Sequence, residues 1–443
     1  MVGRLSNWIK DDITKIVTKE VSKEVSKQIA FTKPEKIRDH FYTMTFSELD
    51  YDYGMKYGKI FKGEGACSVV RKGNFVGRNF DWYYTDNVQV LVKTQSTEGR
   101  FATIGMSMTN GSLTDEVFNR GEYQEEFKIV PFLTVDTINE NGVQTSINVI
   151  THDKEYGLTT GTNPNGEDLC AMMIPRYVGD FAKTAEHGVE LLKGRNIFAL
   201  KDYPGHKNIN EEIHIMISDK NNTYLIEIIK NELKIYKNEE IPGGKSIMTN
   251  FYLYNWNGEI KTHYNGYSEE EVKLTGLREY SMGLERYQIL RDGYEGINSE
   301  LTMLSEMSAA KYTQSYTIDD PNNKWYSEFV GKYDEYGKLD IYSSTKEDFA
   351  KIMQDCKEQY NKHERDNFTW YTDHTSIYNI EQKTIDVCIE EDYNKVYRFR
   401  LDIPGYEEYV DEIKVKELAK EILDENFVDK LNENNIKSRD III

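Results

Sequence analysis

The sequence predicts an α+β protein of four layers, αββα, with two stacked antiparallel sheets between helical layers and a helical leader at the N-terminus. Three observations lead there. Strand-like runs come first, stretches with helical spacing interrupt them, and strand-like runs return near the end. The 443 residues, 39% apolar and 29% charged, suffice for one large layered domain plus an extension. The leader covers residues 1–66 and the layered domain residues 67–443.

In the leader, Leu5, Trp8, Ile9, Ile13, Ile16, Val17, Val21, Val25 and Ile29 recur at three- and four-residue spacing, the mark of an amphipathic helix. Its polar face mixes lysines with Asp11, Asp12, Glu20 and Glu24, which suits packing on its own protein better than a membrane surface. Pro34 and a polar, aromatic connector from Phe46 to Gly65 then lead to Cys67. Beyond it, an apolar run, a Lys72-Gly73-Asn74 turn and a second run ending in Arg78-Asn79-Phe80-Asp81 read as a hairpin. Phe127 to Val135 and Gly142 to Ile150 are two further strand candidates, with Asn139-Glu140-Asn141-Gly142 turning between them. Ile213, Ile215 and Ile217, then Tyr224, Ile226 and Ile228, then Leu233 and Ile235 predict an antiparallel meander.

Helices are predicted where the period changes. Leu169, Met172, Met173, Tyr177, Phe181, Ala185, Val189 and Leu192 mark one helix face. Ser268 with Glu271 forms a capping box for a helix running towards Arg291, and Thr345 with Asp348 opens another. Residues 369–378, 384–389 and 396–401 look like strands, and a last helix covers about 407–431. No internal repeat or low-complexity tract interrupts this order.

Composition excludes several function classes. A formal charge of −20 without a basic cluster argues against nucleic acid as a partner, because phosphates need Lys and Arg patches. No run of about 18 apolar residues predicts a membrane span, and the first 29 residues lack the apolar core of a secretory signal. Cys67, Cys170, Cys356 and Cys388 are scattered with no Cys-x-x-Cys pair, so neither a disulfide framework nor a thiolate metal site is indicated. These thiols suit a reducing cytoplasm. The acidic pairs Glu211-Glu212 and Asp319-Asp320 lack metal-ligand spacing and suit solvated turns. Assembly into a homo-oligomer is left open.

The hairpin carries the chemistry. It brings the Cys67 thiol, the Arg78 guanidinium and the Asp81 carboxylate to neighbouring strand ends. Amide hydrolysis by a cysteine needs a thiolate, a base for its proton and donors for the tetrahedral oxyanion. None of the eight histidines falls in a motif that supplies such a base.

The constellation resembles the choloylglycine hydrolase and penicillin V acylase group of N-terminal-nucleophile (Ntn) amidohydrolases, whose relatives include N-acylethanolamine acid amidase, acid ceramidase and isopenicillin N acyltransferase. The family's Gly-Arg-Asn-x-Asp segment is matched by Gly77-Arg78-Asn79-Phe80-Asp81. Its Asn-Glu-x-Gly turn and strand asparagine are matched by Asn139 to Gly142 and Asn148. Its His-x-Met-Ile-Ser-Asp strand opening is matched by His214 to Asp219, and its Thr-Asn by Thr249-Asn250. Arg286 is the nearest match to a helical arginine. The similarity spans about residues 60–402.

The resemblance implies a four-layer Ntn fold and a cysteine hydrolase that cleaves the linear amide of a small-molecule N-acyl amide through a thioester, without a cofactor. Cys67 would be the nucleophile and its α-amine the base, since a free α-amine titrates near 7.7–8.0. Asp81 would fix that amine, Arg78 would lower the thiol pKa, Asn148 and Asn250 would supply the oxyanion site, and Arg286 would support it electrostatically. The residues preceding Cys67 then require autocatalytic cleavage between Ala66 and Cys67. Taken singly, Arg78 and Asp81 suit a surface ion pair, and Asn148 and Asn250 suit strand-end caps; their order along the chain favours catalysis. Two alternatives stay open: an acyltransferase that passes the acyl group to an amine, and an inactive binding protein on the same fold.

Overall fold

The computed structural model describes residues 31–57, 66–82, 88–109, 113–120, 124–150, 161–198, 213–254, 283–311, 314–317, 332–333, 339–340, 367–403 and 405–409. Two strands, β1 (Glu35–Arg38) and β2 (Phe41–Phe46), and helix α1 (Tyr51–Tyr57) precede the Cys67 hairpin of β3 (Ala66–Lys72) and β4 (Phe75–Trp82). The hairpin turns at Gly73, whose φ of 58° is a left-handed conformation that favours glycine. Next come β5 (Gln89–Thr94), β6 (Thr103–Met108), α2 (Asp115–Asn119), β7 (Thr134–Asn139) and β8 (Gln144–Val149). A short parallel pair, β9 (Glu167–Cys170) and β10 (Arg195–Phe198), flanks α3 (Ile174–Phe181) and α4 (Ala185–Lys193). The predicted meander is β11 (Ile213–Ser218), β12 (Thr223–Ile229) and β13 (Glu232–Lys237). After β14 (Ile247–Met248) follow α5 (Leu284–Gly293), α6 (Glu300–Ala309), β15 (Gln314–Thr317) and a small ribbon of β16 (Lys332–Tyr333) with β17 (Leu339–Asp340). The closing strands are β18 (Asn367–Asn379), β19 (Thr384–Ile389), β20 (Val396–Arg400) and β21 (Glu407–Tyr409).

Among the described residues these strands form two large sheets. One has nine strands in the order β1-β2-β5-β6-β7-β8-β11-β12-β13; the other has eight, β14-β3-β4-β18-β19-β20-β21 with β15 against β18. Met216, Leu225, Leu91 and Phe41 from the first sheet share an apolar cluster with Val76, Ile377 and Val387 from the second. On the outer face of the nine-stranded sheet, Ile215, Ile217 and Ile226 pack with Val178 of α3 and Val189 of α4. Against the second sheet lie α5 and α6: a Cβ at Gly77 would stand 2.7 Å from Met303 and Met307, so glycine there lets α6 approach. This is the α+β sandwich the sequence predicts.

Several expectations need correction. The nine-stranded sheet is mixed, not antiparallel throughout, because β2 and β5 run parallel. The chain leaves β2 and builds the Cys67 hairpin in the other sheet before returning as β5, the kind of long crossover that parallel strands require. The predicted leader helix over residues 5–29 lies outside the described residues. Within the rest of the segment expected to be a helical leader, residues 35–46 are strands instead: Phe41, Tyr42, Met44 and Phe46 are buried in the sandwich. Phe127 to Val135 is not one strand: only Thr134 and Val135 belong to β7. Glu125–Leu133 is a 3₁₀ helix containing Pro131, which has no N–H for a sheet ladder.

The single helix predicted over residues 169–192 is a strand, a 3₁₀ turn and two helices. Pro175 suits the first turn of α3. The Thr184 side chain accepts from the His187 N–H to start α4 separately. Residues 407–409 are strand β21, not the start of a helix; the remainder of that prediction, and the Ser268 and Thr345 helix starts, lie outside the described residues. No helix among the described residues is long and apolar enough to cross a membrane.

Candidate active site

Cys67 stands opposite Phe80 in the β3–β4 ladder, and Ala66 stands opposite Asp81. Successive strand residues point to opposite faces, so β4 presents Arg78 and Phe80 to one side and Asp81 to the other. On the inner side, Arg78 Nη2 donates to Cys67 Sγ at 3.2 Å and to the Ile147 carbonyl at 3.2 Å. Its Nη1 reaches Asp136 Oδ2 at 3.4 Å. Asp136, on β7, ties the sheets together, because Ser376 Oγ donates to it at 2.9 Å and Tyr378 also donates through its hydroxyl.

The helix side holds the other carboxylate. Arg286, in the first turn of α5, donates through Nη1 to Asp81 Oδ2 at 2.6 Å and through Nη2 to Asn250 Oδ1 at 2.7 Å. The same Asn250 oxygen accepts the Cys67 backbone N–H at 2.9 Å. One side-chain oxygen thus links the Cys67 nitrogen to the arginine that holds Asp81. Both carboxylates and both guanidinium groups are buried, which removes the surface ion-pair reading of Arg78 with Asp81.

Asn250 is delivered by a clamp. Asn148 Nδ2 donates to the carbonyls of Met248 and Thr249 at 3.2 and 3.1 Å. His214, opposite Asn148 in the ladder, bonds the Thr249 carbonyl through Nε2 at 2.7 Å, which makes Nε2 the protonated nitrogen. Glu227, on the adjacent strand, accepts the Leu253 N–H at 2.6 Å. Asn148 therefore grips the segment preceding Asn250 rather than pointing its amide donors into the site. Asn250 Nδ2 donates to the Val149 carbonyl at 2.6 Å, and an amide NH₂ carries a second donor.

Burial is the largest influence on Cys67 and pushes its thiol up; Arg78 pulls it down, but not enough to reverse the shift. Arg78 thus lowers the thiol as expected, but burial outweighs it, so a thiol so placed needs a base. Asp81 is pushed up to about 7 by burial, against the opposing pull of Arg286 and the Thr372 hydroxyl. His374 stacks on Phe80 with ring centroids 5.2 Å apart and bonds Gln89 through Nδ1; burial holds it well below its ordinary value. Cys170 and Cys388 are buried cysteines packed in apolar clusters, and Cys356 lies outside the described residues. No cluster that could hold a metal occurs among the described residues.

The structure thus brings Cys67, Arg78, Asp81, Asn250 and Arg286 into one hydrogen-bonded group, with Asn148 behind it. Sequence reasoning missed Asp136, Thr372, Glu227 and Gly283. Gly283 has φ 87°, and a Cβ there would meet Thr249 at 2.7 Å and Arg286 Nη2 at 2.9 Å. A glycine just before a helix arginine was the available signal.

The family described as linear amide C–N hydrolases, choloylglycine hydrolase family, matches residues 69–286. No curated protein matches the chain. Among solved structures, a conjugated bile acid hydrolase from Clostridium perfringens is 15% identical, over 79% of this chain and 97% of that one, with a TM-score of 0.41. Penicillin V acylase from Agrobacterium tumefaciens is 11% identical, over 73% of this chain and 82% of that one, with a TM-score of 0.30.

Proposed function

Starting from the premise that this chain belongs to the choloylglycine hydrolase family, hydrolases of C–N bonds in linear amides, we propose that Cys67 is its nucleophile and that it acts as an N-terminal residue. One observation carries the reading: the sulfur and the nitrogen of Cys67 are held in the same buried polar group, by Arg78 at 3.2 Å and by Asn250 at 2.9 Å. A structural cysteine needs no guanidinium on its sulfur, and its N–H needs an acceptor but not a side-chain oxygen that an arginine also holds.

The chemistry follows from what each group can donate. In the intact chain the Cys67 nitrogen is an amide that donates its N–H and cannot take a proton. Attack of the thiol on the Ala66 carbonyl would transfer the preceding chain from nitrogen to sulfur, and water would release it, leaving a free amine at Cys67. That amine then accepts the thiol proton as the sulfur attacks the carbonyl of an N-acyl amide. Arg78 stabilises the developing thiolate, and the second N–H of Asn250 is available to the oxyanion. Collapse of the tetrahedral intermediate breaks the C–N bond, and the amine product leaves with the proton. Water cleaves the thioester and releases the acid. Asp81 and Arg286 hold Asn250, and through it the nucleophile's nitrogen.

The N-terminal segment enters this reading as a structural part. Arg38 pairs with Glu390 and Asp392, each at 3.3 Å, Tyr42 donates to Asp115 at 2.7 Å, and Tyr51 to Asp180 at 2.7 Å. Cleavage before Cys67 would leave residues 31–57 held in the sandwich, giving a two-chain enzyme. Burying Phe41, Tyr42, Met44 and Phe46 contributes roughly 1.5–3 kcal/mol each, together comparable to the whole stability of a domain. A chain beginning at Cys67 should therefore be insoluble, not constitutively active.

Intact-mass analysis of active protein under native and denaturing conditions tests the proposal. The expected result is a 67–443 fragment that comigrates with its N-terminal piece until denaturant is added. Active enzyme still continuous from Met1 would overturn it.

A further inference from the structure

Asp81 has a second partner beyond Arg286, and the path of the chain accounts for it. β18 crosses β4 with a bulge: Thr372 lies opposite Asp81 and His374 opposite Phe80, leaving Asp373 as the extra residue. A bulge re-aims the side chains beside it. Here it lets Thr372 follow Asp81 to the helix side while His374 stacks on Phe80. Thr372 Oγ1 donates to Asp81 Oδ1 at 2.6 Å, and Oδ2 is left for Arg286. From behind, Glu391 Oε1 accepts the Thr372 N–H at 3.0 Å, and Glu391 Oε2 pairs with Lys311 at 3.2 Å. Glu390 and Glu391 have φ of 54° and 58°, a left-handed turn that L side chains seldom adopt. The Glu390 N–H closes that turn on the Asp373 carbonyl at 2.8 Å. Bulge and turn together fix one hydroxyl.

We propose that Thr372 is a positioning residue for Asp81, an assignment that rests on the reading of Cys67 as an amine-activated nucleophile. Its hydroxyl donates to the carboxylate, and a hydrogen bond to a charged form favours that form. The groups facing Asp81 divide by sign. Arg286 from α5 and Arg78 from β4 favour its ionised state, and Glu391 from the turn opposes it. Burial pushes Cys67 and Tyr393 up, and the Asp81 charge adds to both. Removal of the Thr372 donor shifts this balance towards the neutral acid, which holds Arg286, and hence Asn250, less firmly.

The test is the acid limb of kcat/KM, which reports the free enzyme's titrating groups. The probe is a straight-chain N-acyl amide of 7-amino-4-methylcoumarin, hydrolysed by full-length purified protein from about pH 5 to 9. Thr372→Val keeps the branched shape and removes the donor. It should move the limb up by about one pH unit, the equivalent of one hydrogen bond to a charged group, with KM little changed. Thr372→Ser should restore the wild-type limb. Glu391→Gln should move the limb down, because the charge it removes disfavours ionised Asp81.

A Thr372→Val limb coincident with wild type, in a protein that Cys67→Ala inactivates, overturns the positioning role alone. Hydrolysis that survives Cys67→Ala removes the nucleophile reading and this assignment with it. Should Thr372→Val fail to fold, Thr372→Ala reads the same shift, and a Glu391→Gln limb that stays in place counts against the proposal.

Discussion

β4 carries two arginine–carboxylate pairs on its two faces, and they are built differently. On the inner face, Asp136 accepts from Arg78, Ser376, Tyr378 and the Met106 backbone N–H, the last at 3.1 Å. On the helix face, Asp81 accepts from Arg286 and Thr372, and burial pushes it up to about 7. The pair beside the thiol is a saturated joint between two sheets. The pair beside the nitrogen is built on a carboxylate that burial pushes up to about 7. On the proposed reading of Cys67, the difference suits two tasks: a positive field at the sulfur, and a titratable brace at the nitrogen.

The largest effect should come from the residue the two pairs share. Cys67→Ser weakens the nucleophile and should lower turnover by on the order of 10³-fold or more, and it should also stop cleavage before position 67. Rate measurement with intact mass on the same sample checks both. If rate falls while cleavage proceeds at the wild-type pace, the two processes do not share the nucleophile.

Asp136→Asn comes next. It keeps the shape but leaves the Arg78 charge buried without a carboxylate, a change that typically costs about 3–5 kcal/mol. Urea unfolding should show that loss, and the remaining activity should fall by a similar factor at every pH.

Asp81→Asn should behave otherwise. Near neutral pH the carboxyl is already partly protonated, so a neutral amide costs the fold less than at Asp136. Activity should fall, and the part of the acid limb that follows Asp81 near pH 7 should disappear, leaving the part set by the Cys67 α-amine. The sign follows from the raised value: ionised Asp81, which braces Arg286 and Asn250, is lost as pH falls through about 7. Equal destabilisation by both Asp→Asn changes would erase the distinction between the two faces.

How much of this the sequence revealed depends on the range of the contacts involved. The Cys67 hairpin was legible because its turn and both apolar runs lie within one stretch of chain. The meander from Ile213 to Ile235 was legible for the same reason. Arg78, Asp81, Asn250 and Arg286 were found as motif matches, but their distances to one another depend on β14 and α5, whose approach no local pattern encodes. Asp136 was invisible because an aspartate in Thr134-Val135-Asp136-Thr137 looks like a solvent-facing strand residue until β18 closes over it. Thr372 was invisible because a bulge has no periodic signature. The N-terminal strands are hidden for a different reason: the helical pattern of residues 5–29 and the connector after Pro34 read together as one leader over residues 1–66, although Phe41 to Phe46 alternates as strands do.

The helix side holds one more buried acid, and it offers the smallest effect and the cleanest control. Glu306 of α6 lies against Gly293 at the end of α5, where a Cβ would stand 2.0 Å from its Oε2. Among the described residues neither of its oxygens has a hydrogen-bond partner. Burial, with a smaller push from Asp292, raises it to about 8 from an ordinary value of 4.5. A folded value above the unfolded one means the folded state binds the extra proton. The associated stability is complete below about 4.5 and is lost as pH rises through about 8, on the order of a few kcal/mol in all. Glu306→Gln should remove that part of the decline in melting temperature between those two values. It should also leave the acid limb of kcat/KM in place, because Glu306 does not touch Asp81. If Glu306→Gln moves the limb as Asp81→Asn does, the titratable brace extends through α5 and α6 and does not belong to Asp81 alone.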